Sequence, residues 1–593
     1  MRRLVSLFAA CLVAAGCGTS TPTPPPDGGA HSGPDATAEH PTGGDAGPGV
    51  SGADAAIRDG SAAAPAFDSG PPEPMVDAGA SVLQHHKNSN RDGLYIEPTF
   101  TKAAISGTSG QPDAGSDGGT AGLHKDTAFN AVLPDPNDNV YAQPLFVDGL
   151  GGQDLIIVAT EANNVYALDA TTGAQVWVTH VGAPVPLSAK PCGNIDPFGV
   201  TGTPVIDFAS RTVFFDAEVL PPGDAGVLPS HEIFALSIDT GAIKPGWPIN
   251  VHAAIAALGN NPSFNAPYQG QRGALAVLDG VVYVPYGGLF GACSAPGGPF
   301  QYPQDTDPTP YHGWIVGVAV SDPTQVQAWS VAAQGGGVWP PGGVSSDGTS
   351  LYVTTGTTFL TDGGWGGGDA VMRFGANAAF GAPLDSFAPG NWFALDNFAQ
   401  GFGSAPVVFD LPSSTPGQLA IVFGKDGNAY LLDRAALGGI GRALGSDAGA
   451  GFYATLPTAT APIIDAPVVY TTGAATYVAS RANGVACTSG TGDLTSLKII
   501  PGSPPTLARS WCATAGAGSP IVTTSDGQSD AIVWQLGVDF DNHLHAFDGD
   551  TGAALAFPGS TLTIPGMRAY NTPIVAKGRL YVPADKAVVA FGL

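Results

Sequence analysis

Charge is scarce in this chain of 593 residues: Asp, Glu, Lys and Arg together make up 12 %, with 22 basic residues against 49 acidic ones. The resulting net charge of −27 disfavours nucleic acid and anionic lipid head groups as partners, and suits an exported protein that must stay soluble. Cysteine is scarce too, six in all. None stands in a Cys-x-x-Cys-His arrangement, which speaks against covalent c-type haem, and no two are adjacent. The sequence carries no Ser/His/Asp signature, no phosphate-binding glycine loop and no basic stripe. Beyond the first residues, no run is long and apolar enough for a transmembrane helix. Glycine (84) and proline (53) are abundant instead. With so little charge, that composition suits many short strands joined by turns and argues against a helical protein.

The chain starts MRRLVSLFAACLVAAGCGTS. Arg2 and Arg3 precede an apolar stretch, Leu4 to Ala15, too short to span a bilayer but right for a signal peptide. The Ala-Ala-Gly before Cys17 resembles the lipobox of bacterial lipoproteins. That resemblance implies removal of residues 1–16 and lipid on the Cys17 thiol. Gly18, where a retention signal would place Asp, implies the outer membrane, so the membrane is expected as a partner through the lipid alone. Residues 17–81 contain TPTPPPDGG, GGDAG and DAGA and almost no aromatic side chain. They cannot bury enough apolar surface to offset their ordering entropy and read as a disordered Pro/Gly/Asp-rich tether. A second Gly/Asp insert lies between about 106 and 122. With Cys11 removed and Cys17 lipidated, Cys192, Cys293, Cys487 and Cys512 remain, and four cysteines allow three pairings. Cys487 and Cys512 fall in one repeat, which makes them the local pair and leaves Cys192 with Cys293.

The stretch VYALDATTGAQVW, Val165 to Trp177, reads as strand, tight turn and strand. The Asp side chain can hydrogen-bond the turn backbone, Gly takes its positive φ, and the terminal Trp offers an apolar face to a neighbour. The pattern returns as LHAFDGDTGAALAF (Leu544–Phe557) and IFALSIDTGAIKPGW (Ile233–Trp247), with degraded copies at Ile315–Trp329, Ala429–Gly439 and the C-terminus. Upstream of each copy stands a small or polar residue, often Pro, then a β-branched run, as in GTPVIDF, SAPVVFD and NTPIVAKGRLYV. Eight such starts, spaced by about 45 to 70 residues, predict eight four-stranded propeller blades with the first element innermost. The last unit has three strands before Leu593. The segment 123–133 can supply its fourth and close the ring.

These copies resemble the repeat of pyrroloquinoline-quinone (PQQ) propellers over nearly everything after about residue 82. HHKNSNRDGLY, VYAQPLFVDG, VATEANNVYALDA, VTGTPVID, YHGWIVG and GKDGNAYLLDR resemble an uncharacterised group of secreted bacterial PQQ-like propellers more narrowly. The resemblance implies an all-β, eight-bladed propeller of quinoprotein type over 82–593, with blades over about 142–593. Function is less determined by it, because the same fold serves quinoprotein dehydrogenases and non-enzymatic scaffolds. Alcohol-oxidising members need calcium, an aspartate base and stacking partners for the quinone, in many cases a ring of adjacent cysteines, which this chain lacks. We therefore expect a non-catalytic binding or scaffold module without a cofactor, meeting a protein or glycan through its loops. The alternative is a PQQ- and calcium-dependent alcohol or sugar dehydrogenase. Inner strands bring their first residues to one end of the central channel. Gln143, Thr203, Gln271, Arg272, Trp339, Ser404, Ser519 and Asn571 are expected there, Arg272 being the most informative in so charge-poor a chain. Glu161, Asn163 and Asp369 are acids and amides near inner strands; the first two read as closing a turn. His543 and His545 share a strand face, with His545 in a packing position.

Overall fold

A short acid before a Thr-Gly pair is the local device from which the fold is built. Asp169 Oδ1 accepts hydrogen bonds from the Thr171 N–H (3.1 Å), the Thr172 N–H (2.7 Å) and the Thr172 hydroxyl (2.7 Å). Gly173 completes the turn at φ 76°, a conformation costly for any residue with a Cβ. Asp548 repeats the arrangement with the Asp550 and Thr551 N–H groups, both at 2.9 Å. The aromatic that ends the hairpin then covers the turn of the next unit. Trp177 lies so close over Gly241, and Trp511 over Gly552, that an added Cβ at either glycine would approach the indole to 2.6 Å. Both indole N–H groups are spent on that same turn, Trp177 on the Ile238 carbonyl and Trp511 on the Gly549 carbonyl.

The computed structural model describes residues 79–107, 122–222, 228–259, 262–289, 311–359, 361–376, 382–441, 454–455, 463–487 and 491–593. Residues 1–16, Cys17, the tether through residue 78, most of the Gly/Asp insert, and Cys293 lie outside the described residues. Among the described residues, eight sheets of four or five strands stand around a common axis, an eight-bladed β-propeller, with a ninth, two-stranded ribbon pairing Gln334–Gly335 with Thr358–Phe359. Blade 1 runs Leu145–Leu150, Gln153–Ala159, Asn164–Asp169 and Gln175–His180 from inside to outside. The inner strands of blades 2 to 8 are Val205–Asp207, Ala276–Leu278, Ser345–Ser346, Val407–Asp410, Val468–Thr471, Ile521–Thr524 and Ile574–Ala576. Successive sheets pack face to face: Ile157, Val165 and Ala167 of blade 1 share one core cluster with Val213, Phe215 and Leu236 of blade 2. In blade 7 the expected outer strand shrinks to a bridge between Phe547 and Ala554, and the fourth strand, Leu94–Ile96, pairs on the inner side instead.

Blade 8 takes its outer edge from the start of the domain. His124–Lys125 and Ala131–Val132 pair antiparallel with the last strand, Ala587–Gly592. The backbone at Asn130 and Ala131 presses on the Gly173 turn of blade 1, where a Cβ would meet it at 2.5 Å. The edge of blade 8 thus covers the turn of blade 1 as blade 1 covers that of blade 2 and blade 6 that of blade 7, and here the chain's two ends complete the circuit. Cys487 and Cys512 are disulfide-bonded within blade 6.

The axis is not left open. Residues 82–97 run around it and reach every blade. Val82 exchanges backbone hydrogen bonds with Phe146 of blade 1 (2.8 and 2.9 Å), and the Leu83 carbonyl accepts from Ile206 of blade 2 (2.8 Å). The carbonyls of Ser89, Asn90, Asp92 and Gly93 accept from Ser346, Val408, Val469 and Val522, one in each of blades 4 to 7. Glu97 accepts from the Gly578 N–H of blade 8 at 2.7 Å. The Arg91 guanidinium reaches the Leu275 carbonyl beside blade 3 (2.7 Å) and the Val344 carbonyl beside blade 4 (2.9 Å). The segment thus satisfies N–H groups on the inner sheet edges that would otherwise face a channel. Its own course is tight: His86, Lys87 and Arg91 hold φ of 56°, 65° and 63°, a region that costs a non-glycine residue about 1–2 kcal/mol.

Candidate functional site

Polar side chains on this hub become buried because of where the hub runs, not because of their type. His85, His86 and Arg91 are all at most 2 % exposed. The two imidazoles stack with centroids 4.3 Å apart and planes 20° apart. Burial, then the neighbouring His86 and Arg91 charges, holds His85 well below the ordinary histidine range, and burial pushes His86 down to about 3. Both rings are neutral at pH 7. Arg91 stays charged although burial lowers its pKa to about 9, because four oxygens receive its N–H groups.

His85 lies at a small cavity on the face where the inner strands begin. Gln143, Thr201 and Thr203 line it from blades 1 and 2, and Arg272 and Pro341 from the entries to blades 3 and 4. Tyr141, Ala569 and Tyr570 complete the wall. It offers about 20 Å³ for the centre of a water molecule, room for roughly one or two waters. Several lining groups are already spent on structure. Gln143 accepts from the His86 N–H (3.0 Å) and donates to the Gln84 carbonyl (3.3 Å), while Thr203 Oγ1 accepts from the Gln143 N–H (3.0 Å).

Arg272 differs from four other arginines of the ring. Arg211, Arg434, Arg568 and Arg579 each pair with a carboxylate. Arg272 is half-buried, lies 5.7 Å from the Tyr570 ring centroid, and has only a long contact of 3.5 Å to Asn194 Oδ1. No carboxylate forms an ion pair with it among the described residues. The acid whose ionisation Arg272 favours, Glu161, is fully buried, and burial pushes its pKa up to about 8. Glu161 Oε2 accepts from the Gly199 N–H at 2.6 Å, whereas Oε1 has no partner. Behind Thr201, then, stands a carboxylic acid that is neutral at pH 7, and the guanidinium charge goes unanswered.

Of the residues expected at the channel mouth, Gln143, Thr203 and Arg272 come together at the cavity. The others do not line it. Gln271 turns back to the Gly273 carbonyl (2.6 Å) and Asn571 to the Val140 carbonyl (2.9 Å). Ser404 accepts from the Phe423 N–H, and Ser519 from the Ala466 N–H of the preceding blade entry. Trp339 lies under Lys425, whose Nζ is 4.5 Å from the ring centroid. Near it, burial and then the Asp396 charge push Asp369 well above the carboxylate range. Asn163 takes φ 58° in the turn between two strands of blade 1. His545 and His543 both face Asp541, at 3.0 and 3.3 Å. Sequence reasoning missed His85, Tyr141, Thr201 and Tyr570. The two tyrosines stand one or two places before residues already singled out, which was the available signal.

No protein-family model matches the chain, and no curated protein matches it. Solved structures do. A quinohemoprotein alcohol dehydrogenase from Pseudomonas putida HK5 is similar at TM-score 0.55 and 13 % identity, over 88 % of this chain and 82 % of that one. One from Comamonas testosteroni gives 0.55 and 14 %, over 87 % and 80 %. A europium-containing methanol dehydrogenase gives 0.54 and 12 %, over 85 % and 89 %. The fold is thus an eight-bladed propeller of the quinoprotein dehydrogenase type, and at these identities the likeness is one of fold. These neighbours overturn the expectation of no cofactor: the enzymes that share the fold are quinohemoproteins and a lanthanide enzyme, so cofactor-free is not what the fold predicts. The cavity beside Arg272 nevertheless does not fit a tricyclic quinone and its ion. Ligands of that size occupy clefts of about 300–1,000 Å³. Among the described residues, no group of three or more His, Cys, Asp or Glu is placed to hold a metal.

Proposed function

We propose that this protein is a ligand-binding propeller of the cell envelope whose axial pocket captures a small anion on Arg272. One observation carries the reading. In a chain with a net charge of −27, a half-buried guanidinium lines a cavity without a carboxylate partner, beside an acid held neutral by burial. A built anion site needs such a charge, since a cation kept partly out of water is costly unless something answers it. Calorimetric titration of the full chain with acetate and formate tests this. Saturable binding that weakens at least about tenfold in Arg272→Ala, the loss of a charged hydrogen bond, supports it. The absence of binding, or equal binding by the variant, rejects it.

The fold itself favours a second reading, a PQQ-dependent oxidoreductase. Adding PQQ with calcium or a lanthanide, followed by dye reduction with alcohols and sugars, decides it: quinone binding with turnover establishes the enzyme, and no quinone binding removes it. For location, we propose lipid anchoring at Cys17 in the outer membrane, with a protein or glycan partner meeting the propeller-face loops. Cys17→Ala then moves the protein from membrane to soluble fractions; unchanged partitioning contradicts the anchor.

A further inference from the structure

We infer that Thr563, His543 and Asp541 form a hydroxyl–imidazole–carboxylate line on blade 7, a nucleophilic site that takes short acyl esters. It shares no residue with the Arg272 cavity, and neither reading depends on the other.

The backbone builds the site. Residues 537–542 turn between the strands Ile532–Leu536 and Leu544–Asp548 of blade 7. Asp539 and Asn542 hold φ of 57° and 56° there, strain that persists only where the surroundings fix it and that gathers at functional sites. The Asn542 N–H donates to the Gly537 carbonyl, and the Asn542 carbonyl accepts from the Ile564 N–H, both at 2.8 Å. The second bond docks the connection to blade 8 on this turn and brings Thr563 to His543. A Cβ at Gly537 would overlap Asp541 Oδ1, so only glycine leaves the carboxylate its place.

The positions of the protons follow from hydrogen-bond capacity. Burial opposes the charge on Asp541, but the His543 backbone N–H and the two imidazoles hold its carboxyl below the usual range. An ionised carboxylate only accepts. Its Oδ1 takes the His543 backbone N–H and the His545 Nε2–H, each at 3.0 Å, and its Oδ2 faces His543 Nδ1 at 3.3 Å. His543 Nδ1 therefore carries the proton of the neutral ring, and Nε2 is bare. The group at that bare nitrogen is the Thr563 hydroxyl, at 3.2 Å, which donates to it. A hydroxyl aimed at a base whose other nitrogen is fixed by a carboxylate is the arrangement that activates an oxygen nucleophile. Both contacts fall within the looser reach of an unliganded site. The sequence hides the line because its hydroxyl is a threonine 20 residues beyond the histidine.

Thr563 is exposed, and its N–H has no partner among the described residues. An ester can thus approach from solvent and find a backbone donor free for the developing oxyanion. Thr563 Oγ1 adds to the acyl carbon while its proton passes to His543 Nε2. The ester C–O bond breaks, and the alcohol leaves with that proton. Water then attacks the threonyl ester and gives a proton to Nε2, and the acid departs as Thr563 regains its own. The sum is ester plus water to acid plus alcohol, with no other reactant. An exposed nucleophile suits a short acyl group, since a longer chain needs a concave wall to bury it.

Covalent labelling of the full chain tests this directly. After treatment with an alkyl fluorophosphonate, peptide mass spectrometry should find the adduct on Thr563. An adduct elsewhere only, or none, overturns the inference. Hydrolysis of p-nitrophenyl acetate should be lost in Thr563→Val and kept in Thr563→Ser, both changes lying at the surface. Equal hydrolysis by Thr563→Val overturns the inference, because a surface imidazole acting alone would give that result. His543→Gln, first checked for an unaltered melting curve, should slow the labelling of Thr563 at least about a hundredfold, the lower end of what a positioned base supplies. Labelling at the parent rate in that folded variant removes the imidazole as base and overturns the inference.

Discussion

Replacing Arg91 with Leu removes the side chain that ties the hub to two blades at once. The guanidinium gives hydrogen bonds to the carbonyls of Val344 (2.9 Å), His85 (2.7 Å) and Leu275 (2.7 Å), and to Gln84 Oε1 (3.0 Å). Leu fills much of the volume but donates nothing, so four oxygens at the axis lose their donor. Each bond to a charged group is worth about 1.5–3 kcal/mol, against which stands the desolvation of the guanidinium that the variant no longer suffers. The balance is a loss of about 3–5 kcal/mol, since each buried oxygen left without a donor costs about 1–3 kcal/mol before that relief is subtracted. That is a large share of the roughly 5–15 kcal/mol by which a domain is stable. Urea unfolding followed by tryptophan fluorescence reads it directly, because nine tryptophans are distributed through the chain. Arg91→Lys should recover less than half, since an ammonium cannot fork to carbonyls on two sides. A loss below about 1 kcal/mol for Arg91→Leu would mean that the hub is a passive filler and that the ring stands without it.

Three other perturbations have worked signs. The carboxyl of Glu161 rises from 4.5 to about 8 on folding, so the native state holds a proton that the unfolded chain releases between those values. Stability contributed by this group is full below about pH 4.5 and is lost as pH rises to about 8, a few kcal/mol at about 1.4 kcal/mol per pH unit. Glu161→Gln should match the parent near pH 4.5 and exceed it at pH 9 in urea midpoints; parallel curves refute the buried acid. Deleting residues 123–133 uncovers the last strand and removes the buried Leu123, Phe129 and Leu133, each worth about 1.5–3 kcal/mol. The melting temperature should fall for the whole ring, and an unchanged melt refutes closure by this segment. Replacing Cys487 and Cys512 by Ser opens a loop of 25 residues and should cost about 3.5 kcal/mol by chain entropy; an unmoved unfolding midpoint contradicts that.

The blades were legible because their signal is local. Asp169, Thr172, Gly173 and Trp177 specify turn, φ and docking face within nine residues, and their return along the chain announces a ring. Three strands before Leu593 likewise called for a fourth, and 123–133 carried the apolar residues to provide it. The hub was not legible in the same way. His85 to Asp92 have neither the period of a strand nor that of a helix, and HHKNSNRDGLY entered only as a stretch that carries the family resemblance. They are buried only because eight inner edges converge on them, which is a property of the ring and not of the segment. The same limit governs the site. Gln143, Thr203 and Gln271 occupy equivalent starts of inner strands, yet Gln271 bonds to the Gly273 carbonyl and leaves the cavity. Strand position brings a residue to the axis; only packing decides which way its side chain turns. Glu161 was read as a turn residue, and its turn is there, but burial behind Thr201 makes it an acid of the site.

A crystal structure of the full chain grown with formate tests the central claim most directly. The account predicts one formate in the axial cavity, its carboxylate within about 3 Å of the Arg272 guanidinium, the ordinary hydrogen-bond distance. A cavity holding only water under saturating formate, with Arg272 turned to solvent, would contradict it.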